Sequence, residues 1–242
     1  MKEKQAVKEA FTELASHYEE TVDGELNTFW GWSYQNFVDQ LVDRTEILED
    51  QKILDIATGT LVIPRKIIEK NVPGIHITGL DITEFMLRQG KKKVSPEDFN
   101  KISLTCSDAM AMPFNERSFD VVVMGLASHH MHIPSMLSEM KRVLKPGGLL
   151  SIIDAGSSPL WELPIVKFFI SVGAFFYFLI KENLTRAWAE TRAVTNLRTP
   201  EGWQAELQDA GFENINITNL SSKYSWIPKP LAIQCKYKLE KL

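Results

Sequence analysis

Three acidic residues stand at or near the ends of apolar segments and could hold a nucleotide-like ligand. Asp55 lies in "ILDIATGT", Asp81 ends "ITGLD" and Asp108 ends "LTCSD". A carboxylate in such a place can accept both hydroxyl hydrogens of a ribose, and an Asp side chain or the adjacent backbone can recognise an adenine amino group. A single acid of this kind is more often a cap or turn residue. Three of them, in order and evenly spaced, favour a nucleotide-type site.

Two adjacent histidines, His129 and His130, follow the apolar segment "FDVVVMGL" and could act as a base. A neutral imidazole can take a proton near pH 7. We favour His130 slightly over His129, and the alternative is that both are hydrogen-bonded wall residues with no base role. Tyr18 could orient a substrate or serve as a core aromatic, and Asp154 could bind a substrate hydroxyl or cap the next segment. No metal site is predicted, because the remaining histidines have no second ligand at metal spacing.

The elements that must position these residues alternate along the chain. Short apolar runs predict five strands, at 52–57, 75–81, 102–108, 119–126 and 147–154, with helices at 62–70, 83–94 and 134–145. Strands alternating with crossover helices predict an α/β fold with a doubly wound, mostly parallel sheet. A helix at 199–212 and strands at 214–220 and 231–239 would complete seven strands, the last two as a hairpin-like edge. In such a sheet, ligands bind at the carboxyl ends of the strands.

Two helical segments interrupt this alternation and could cover the ligand-binding edge. We predict a single domain over residues 1–242, with a helical N-terminal arm at 1–50 and a cofactor-binding core at 51–155. A helical insert at 156–198 follows the fifth strand, and the last helix and strands occupy 199–242.

Composition narrows the class of protein. The 242 residues carry a net charge of −4, and no broad basic excess points to nucleic acid. The two cysteines, Cys106 and Cys235, lie far apart, which suits a reduced cytosolic protein. The N-terminal "MKEKQAVKEAF" is polar with helical periodicity, unlike a signal or transit peptide. We therefore expect a cytoplasmic protein.

The motifs together resemble those of class I S-adenosylmethionine-dependent methyltransferases. The matching segments are "ILDIATGT", "ITGLDITEFML", "CSDAMAMPF", "RSFDVVVMGLASHHM", "MLSEMKRVLKPGGLLSIID" and "WQAELQDAGFENI". They cover about residues 50–155 and 199–220, and "EMKRVLKPGG" is the most specific. Within the superfamily the chain is similar to the ubiquinone/menaquinone biosynthesis C-methyltransferases, whose first motif and arm resemble "DIATGT" and "VKEAFTELASHYEE".

The resemblance implies a Rossmann-like methyltransferase fold, S-adenosylmethionine as cofactor and roles for particular residues. Asp81 would hold the ribose hydroxyls, and Leu126 would lie near the reacting methyl group. The other cofactor-binding residues that we expect are Asp55, Ala57, Gly59 and Thr60 around the methionine part, Ile82 after the second strand, and Asp108, Ala109 and Met110 at adenine.

Two departures from the family pattern are visible. Leu61 stands where the family usually has a third glycine, and "GLASHHM" replaces a Gly-Leu-Arg-Asn-like stretch after the fourth strand. The predicted function is methyl transfer from S-adenosylmethionine to a lipophilic small molecule such as a quinone, phenol, polyketide or terpenoid. The alternative is a methyltransferase-fold protein that binds the cofactor but transfers no methyl group, for which Leu61 is the support.

The aromatic segment "KFFISVGAFFYFLIK" (167–181) lies within the predicted insert. Thirteen uncharged helical residues reach about 20 Å, which is short of the roughly 30 Å hydrocarbon core of a membrane. We therefore expect a lid over a lipophilic acceptor that could touch a membrane surface peripherally. A homodimer interface is the main rival, because exposed apolar patches usually mark interfaces.

Overall fold

The apolar segments form one seven-stranded sheet in the computed structural model, which describes residues 2–238. The strand order is β3-β2-β1-β4-β5-β7-β6, with β7 antiparallel to both of its neighbours. The strands are β1 (Lys52–Ile56), β2 (His76–Asp81), β3 (Ile102–Cys106), β4 (Phe119–Gly125), β5 (Leu144–Asp154), β6 (Phe212–Asn219) and β7 (Leu231–Tyr237). This is the predicted doubly wound, mostly parallel sheet.

Ten α-helices and one 3₁₀-helix (Ser128–His130) accompany the sheet in the described part of the chain. Three form the N-terminal arm: α1 (Lys2–Leu14), α2 (Tyr18–Trp30) and α3 (Tyr34–Val42). Those of the core are α4 (Val62–Ile68), α5 (Glu84–Lys91), α6 (Pro96–Phe99) and α7 (Ile133–Val143). The insert forms α8 (Pro164–Lys181) and α9 (Leu184–Thr195), and α10 (Pro200–Asp209) precedes the last two strands.

The strand order reverses between β1 and β4, and this places the ligand-binding edge. β1 pairs in parallel with β2 on one side and with β4 on the other, Ile56 lying opposite both Leu80 and Met124. Chain segments leaving the carboxyl ends of β1 and β4 diverge to opposite faces of the sheet, which leaves a crevice between them. The turn after β1, Asp81 at the end of β2 and the segment after β4 therefore meet at one edge.

The core has one layer on each face of the sheet, because successive side chains in a strand point to opposite faces. Ile53 packs with the arm helices and α4, whereas Leu54 and Ile56 pack with α7 and α10. All three side chains are fully buried. Burial on both faces explains why the central strands read as continuous apolar runs in the sequence.

The structure differs from the predicted elements chiefly at the start of β5 and after α5. β5 begins at Leu144, so Leu144 and Lys145 belong to a strand and not to the end of the predicted helix at 134–145. α5 ends at Lys91, and the short helix α6, with Ser95 as its N-cap, follows where no element was predicted. These differences leave the ligand-binding edge unchanged. The last two strands, β6 and β7, pair antiparallel at one end of the sheet, which confirms the predicted hairpin-like edge.

Helix α8 is unusual in exposing apolar side chains around most of its surface. It is 18 residues long, has a mean hydropathy of 1.6 and is only 6% buried, so by length and composition alone it could cross a membrane. It begins at Pro164, three residues before Lys167, and spans about 27 Å at 1.5 Å per residue. The length argument against a membrane span is therefore weaker than the sequence suggested.

The insert is joined to the core at the segment after β4. Asn196, just after α9, donates from Nδ2 to the carbonyl oxygens of His129 (3.1 Å) and Met131 (2.7 Å). Asn183, the N-cap of α9, donates to Glu13 of the arm at 3.0 Å. The insert and the arm thus pack against the ligand-binding edge from above.

Candidate active site

The turn between β1 and α4 uses left-handed backbone at every second residue. Ala57 has φ 55°, Gly59 has φ 53° and Leu61 has φ 63°. The turn is closed by backbone hydrogen bonds from Thr58 N–H to the Leu80 carbonyl (3.0 Å) and from Leu61 N–H to the Thr58 carbonyl (2.9 Å). Such a conformation costs a non-glycine residue about 1–2 kcal/mol. Two non-glycine residues with strained backbone, Ala57 and Leu61, therefore lie in the turn that would hold a ligand.

Asp81 ties this turn to the end of β2. Its Oδ2 accepts a hydrogen bond from Gly59 N–H at 2.9 Å, and its Oδ1 accepts one from Thr83 N–H at 2.8 Å. The side chain is largely buried, and this burial raises the pKa of Asp81 to about 6. Each carboxylate oxygen has a second lone pair, so Asp81 can hold the turn and still accept ligand hydroxyls.

A first cavity opens at the carboxyl ends of β1, β2, β3 and β4. It encloses about 740 Å³ of empty space, including its open mouth. Of the residues predicted to bind the cofactor, the structure brings these to its wall: Ala57, Gly59, Asp81, Ile82, Asp108, Ala109, Met110 and Leu126. Tyr18 and His130 line it as well. The strand-end reasoning therefore located one continuous cavity.

Asp55 and Thr60 do not line this cavity. The Asp55 carboxylate is fully buried beneath the turn, where Oδ2 accepts a 2.5 Å hydrogen bond from Thr58 Oγ1. Its Oδ1 has no partner among the described residues, and burial raises the pKa of Asp55 to about 8. Thr60 turns towards the arm and donates to Glu19 Oε1 at 2.7 Å.

Glu19 on α2 is a residue that the sequence analysis missed. Its Oε1 accepts hydrogen bonds from Thr60 Oγ1, from Arg65 Nη2 at 2.7 Å and from Lys93 Nζ at 2.8 Å. One carboxylate therefore joins the arm to the glycine turn, to α4 and to the segment after α5. In the sequence Glu19 is one of many charged residues on a helix, and nothing distinguishes it there.

Leu61 points away from the cavity. Its side chain is fully buried, and it does not line the wall. It occupies space left by Gly90 on α5, where an added Cβ would lie 2.6 Å from Leu61 Cγ. The leucine that replaces the family glycine therefore packs against α5, on the side of the turn that faces away from the cavity. The structure gives no steric reason for it to exclude a cofactor.

The far end of the first cavity is formed by Asp108 and the arm. Asp108 Oδ1 accepts a hydrogen bond from the backbone N–H of Met110 at 3.0 Å. Its Oδ2 pairs with Lys4 Nζ at 2.6 Å, and Lys4 also lines the cavity. Since Lys4 is half exposed, the pair adds little stability. Helix α1 nevertheless covers this end of the cavity.

A second, larger cavity lies beneath the insert and holds about 1480 Å³ of empty space, including its open part. Its wall is mostly apolar and comes from α1, α2, α8, α9 and the loop before β7. Phe29, Trp30, Trp161 and Tyr177 are among its aromatic residues. Apolar walls with few polar groups are typical of sites for apolar ligands.

The two cavities share part of their walls. Phe11, Tyr18, Leu126 and His130 line both. The two cavities are therefore adjacent at these four residues, which we call the junction. The glycine turn is close by, since an added Cβ at Gly59 would lie 3.8 Å from Tyr18 Cε1.

Tyr18 is a buried junction residue with an un-ionised hydroxyl. Its ring packs edge-on against Tyr34 with centroids 6.0 Å apart and lies 6.2 Å from the Phe11 ring. Burial raises the pKa of Tyr18 to about 12. The phenol is therefore suited to donating a hydrogen bond near neutral pH and unsuited to acting as a base.

His129 is held by Asp154 at the end of β5. His129 Nδ1 lies 2.6 Å from Asp154 Oδ1, and Asp154 Oδ2 accepts hydrogen bonds from both the backbone N–H and the hydroxyl of Ser128. Burial alone would lower the pKa of His129, but the Asp154 carboxylate outweighs burial and raises that pKa above its ordinary value. Asp154 thereby orients the imidazole through Nδ1, and Nε2 makes no hydrogen bond to any of the described residues.

His130 is in a different electrostatic environment. Burial, with further contributions from His129 and Arg186, holds the pKa of His130 well below its usual range. Its Nε2 lies 3.6 Å from Glu190 Oε1, and its Nδ1 has no hydrogen-bond partner among the described residues. The side chain at the cavity junction is therefore a neutral, weakly basic imidazole.

A buried ion-pair cluster completes the polar part of the second cavity, and the sequence analysis did not identify it. Arg186 Nη2 on α9 lies 3.1 Å from Glu190 Oε1 and 3.3 Å from Glu25 Oε2 on α2. Mainly through burial, the pKa of Glu25 rises to about 7. The helical period of "ENLTRAWAETRAV" places Arg186 and Glu190 on one face, but nothing in the sequence pairs that face with Glu25.

His129, His130 and Glu190 each offer a potential metal-ligand atom within 4.8 Å of one another. Two contacts argue against a metal there. Arg186 lies 3.1 Å from Glu190 Oε1, and its positive charge would oppose a cation. Glu190 and His130 are also already placed to interact with each other. We interpret the group as a polar network for an organic ligand.

Comparisons with known proteins place the chain in a family and agree with its fold. A sequence profile described as the ubiE/COQ5 methyltransferase family matches residues 1–224. The demethylmenaquinone methyltransferase of Listeria welshimeri is 34% identical over 170 residues, covering 67% of this chain and 70% of the relative. That of Symbiobacterium thermophilum is 29% identical over 218 residues, covering 86% and 85%.

Solved structures share the fold. Phosphoethanolamine N-methyltransferase 2 of Haemonchus contortus, in complex with S-adenosyl-L-methionine, superimposes with a TM-score of 0.67. The match covers 95% of this chain and 60% of the other, at 16% identity. At that identity the likeness concerns the fold, and it confirms the predicted Rossmann-like methyltransferase architecture.

The first cavity fits S-adenosylmethionine by the chemistry of its wall. Gly59, with no side chain and φ 53°, permits close approach of a ligand, and Asp81 offers acceptors at the end of β2. The predicted cofactor and enzyme class are confirmed by the family match over nearly the whole chain. The chain belongs to the ubiE/COQ5 methyltransferase family and is an S-adenosylmethionine-dependent methyltransferase.

Proposed function

We propose that this enzyme methylates a lipophilic acceptor with an ionisable ring oxygen, of the quinol type, held in the second cavity. The observation that carries the proposal is the shared wall of the two cavities at Phe11, Tyr18, Leu126 and His130. The similarity to demethylmenaquinone methyltransferases supports an apolar ring with a hydrocarbon tail as acceptor. A phenol, polyketide or terpenoid with such an oxygen would fit the same wall.

For the cofactor, we propose that Asp81 accepts the ribose hydroxyls and that Asp108, Ala109 and Met110 surround adenine. Ala57 and Gly59 would contact the methionine part. Asp55 and Thr60 would support the turn without contacting the cofactor. Both are buried, and they form hydrogen bonds with Thr58 and Glu19 respectively. Ile82 and Leu126 would contribute apolar wall on either side.

S-adenosylmethionine, when bound, supplies a methyl group already activated by its positively charged sulfur. The residues of this chain then have to align the acceptor and accept its proton, because proximity and orientation dominate such displacements. Tyr18 and Leu126 are placed to position the acceptor at the junction. The apolar residues of the arm and the insert that line the second cavity would limit the access of water to the acceptor.

We propose His129 as the proton acceptor and His130 as a positioning residue at the junction. The sequence favoured His130 slightly over His129 as the base. The structure leads us to prefer His129 for electrostatic reasons. Asp154 raises the pKa of His129 and fixes its ring, whereas burial and neighbouring charges depress the pKa of His130. A base is most effective when its pKa lies near the working pH.

Filling the second cavity should prevent acceptor binding without affecting the cofactor. Ala174 on α8 lines that cavity and does not line the first. For Ala174→Phe we expect KM for a prenylated naphthoquinol to rise at least about tenfold, because a ring would occupy acceptor space. Calorimetric affinity for S-adenosylmethionine should stay within about twofold. A variant that keeps the parent KM would contradict the assignment of this cavity to the acceptor.

We also propose that the outer face of α8 contacts a membrane surface peripherally, and that the protein is otherwise cytoplasmic. This face consists of Ile165, Phe168, Phe169, Val172, Phe176, Leu179 and Ile180, all exposed. The inner face of the same helix lines the second cavity through Ile170, Ala174, Tyr177 and Phe178. An acceptor could therefore pass from lipid to cavity without crossing water.

Charge and aromatic residues favour a membrane over a second copy of the chain. Segments 157–192 and 221–230 carry six Lys and Arg against three Glu, although the whole chain has a net charge of −4. Trp188 and Trp226 are exposed at 53% and 73%. Basic residues attract anionic lipid headgroups, and Trp favours the membrane interface.

The double substitution Phe168→Ser with Phe169→Ser should weaken vesicle binding. We expect the parent enzyme to co-float with vesicles containing phosphatidylglycerol and the double variant to lose most of that binding. Phe85→Ser, an exposed aromatic on α5, is the matched control and should bind as the parent does. If the parent ignores vesicles but light scattering gives twice the chain mass, reduced in the double variant, the face is a homodimer interface instead.

The alternative of cofactor binding without methyl transfer has lost its sequence support. It depended on Leu61, whose side chain lies against Gly90 and outside the wall of the first cavity.

A further inference from the structure

Arg186 has hydrogen-bonding capacity that the described residues do not use. Its side chain is only 5% exposed, and all of its ion-pair contacts are made by Nη2. Nε and Nη1 are buried and have no hydrogen-bond partner among the described residues. Burying such donors without partners costs free energy. In a residue that lines a ligand cavity, they indicate a missing acceptor.

The surroundings of Arg186 indicate what kind of acceptor fits. The guanidinium lies over two aromatic rings, with Cζ 5.0 Å from the Phe11 centroid and 5.6 Å from the Phe178 centroid. A flat ring could stack in the same apolar space while presenting an oxygen to the guanidinium edge. His130 Nδ1, also unpartnered and buried, lies in the wall of the same cavity.

The charge balance of the cluster leaves room for an anion. Arg186 faces two carboxylates, but its contact with Glu25 is long, at 3.3–3.4 Å. The pKa of Glu25, raised to about 7 chiefly by burial, also means that a proton is readily held there near neutral pH. The positive charge of Arg186 is then balanced mainly by Glu190, and an anionic ligand oxygen can accept hydrogen bonds from its remaining donors.

We propose that Nε and Nη1 of Arg186 bind the anionic ring oxygen, a phenolate or enolate, that remains when the acceptor hydroxyl gives its proton to His129. The inference rests on the proposed function, because it names the group by which the acceptor is recognised in the second cavity. Arg186 thereby holds the acceptor by the oxygen whose charge makes the ring nucleophilic. It is a binding and positioning residue that takes no proton.

The test uses titration calorimetry to measure the equilibrium binding of small probes to the full chain, which is first saturated with S-adenosylhomocysteine. The probes are 2-hydroxy-1,4-naphthoquinone, whose hydroxyl is ionised at neutral pH, and 1,4-naphthoquinone, which lacks it. A third probe, 2-naphthoate, distinguishes a ring oxygen from a carboxylate. For the parent we expect the hydroxyquinone to bind about 10–100-fold more tightly than the quinone, as charge-assisted hydrogen bonds would give.

Arg186→Lys should lose most of this preference, because it keeps the positive charge but lacks the paired guanidinium donors. Arg186→Met combined with Glu190→Gln should lose it entirely while avoiding an uncompensated buried carboxylate at Glu190. Arg192→Met, on the same helix but outside the cavity wall, is the control and should behave as the parent. Thermal unfolding would verify that each variant is folded.

Two results would overturn the proposal. One is an equal loss of affinity for the hydroxyquinone and the quinone, which would mean that Arg186 only maintains the cavity. The other is a preference of the parent for 2-naphthoate, or for the neutral quinone. The binding test measures no turnover, so its result is independent of methyl transfer. An enzyme that binds the probes as expected but transfers no methyl group would reject the proposed function without affecting the binding role of Arg186.

Discussion

His129→Ala is expected to lower kcat for methyl transfer about 10²–10⁴-fold, the usual contribution of a general base. The physical reason is that His129 combines a fixed ring, 2.6 Å from Asp154, with a pKa raised by that carboxylate. Affinity for S-adenosylmethionine should be unchanged, because His129 does not line the first cavity. His130→Ala should cost less in kcat and more in KM for the acceptor.

The pH profile supplies a readout that a structural role for His129 would not produce. A base must be neutral to act, so kcat should fall as the pH decreases through the pKa of His129, which lies above its ordinary value. Asp154→Asn removes the carboxylate that raises this pKa, and should move the fall to lower pH. Glu25→Gln is needed as a control, since Glu25 titrates near pH 7. A His129→Ala enzyme with the parent rate and profile would refute the base assignment.

Asp81→Asn should weaken S-adenosylmethionine binding by about 10–100-fold, because hydrogen bonds to a charged group contribute about 1.5–3 kcal/mol. The amide can still accept from one backbone N–H, but its NH₂ group would face a donor, from either Gly59 or Thr83. Some loss of thermal stability should therefore accompany the loss of affinity. Titration calorimetry and thermal unfolding measure the two effects separately.

The pH dependence of cofactor affinity tests the same carboxylate. Burial raises the pKa of Asp81 to about 6, so a growing fraction is protonated as the pH falls below that value. A protonated carboxyl has lost acceptor capacity, and affinity for S-adenosylmethionine should decline there. Asp209→Asn, at the exposed end of α10, is the matched control. Unchanged affinity in Asp81→Asn would remove Asp81 from the cofactor site.

The sequence was sufficient to locate the first cavity because the order of parallel strands determines which strand ends lie together. Once "ILDIATGT", "ITGLD" and "LTCSD" were taken as successive parallel strands, their carboxyl ends had to share one edge. Asp81, Asp108 and the segment after β4 all lie at that edge. The geometry of the turn after β1 was harder to predict from the sequence. The direction of the Leu61 side chain depends on the positive φ of that residue and on the space left by Gly90.

The second cavity could not have been derived in the same way. Its polar cluster joins Glu25 of the arm to Arg186 and Glu190 of the insert, residues about 160 positions apart in the chain. No periodic pattern encodes how two helical segments pack over a sheet. Likewise the apolar character of "KFFISVGAFFYFLIK" was visible, but only the structure divides α8 into a cavity-lining face and an exposed face.

The central claim is that a cofactor in the first cavity meets a lipophilic acceptor in the second. The most direct measurement is a single-turnover reaction with methyl-labelled S-adenosylmethionine and a prenylated naphthoquinol, followed by mass spectrometry of the extracted lipid. The account predicts that the label appears on the naphthoquinol in the parent enzyme and is greatly reduced in Ala174→Phe. Tight cofactor binding with no label on this or related lipophilic acceptors would contradict it.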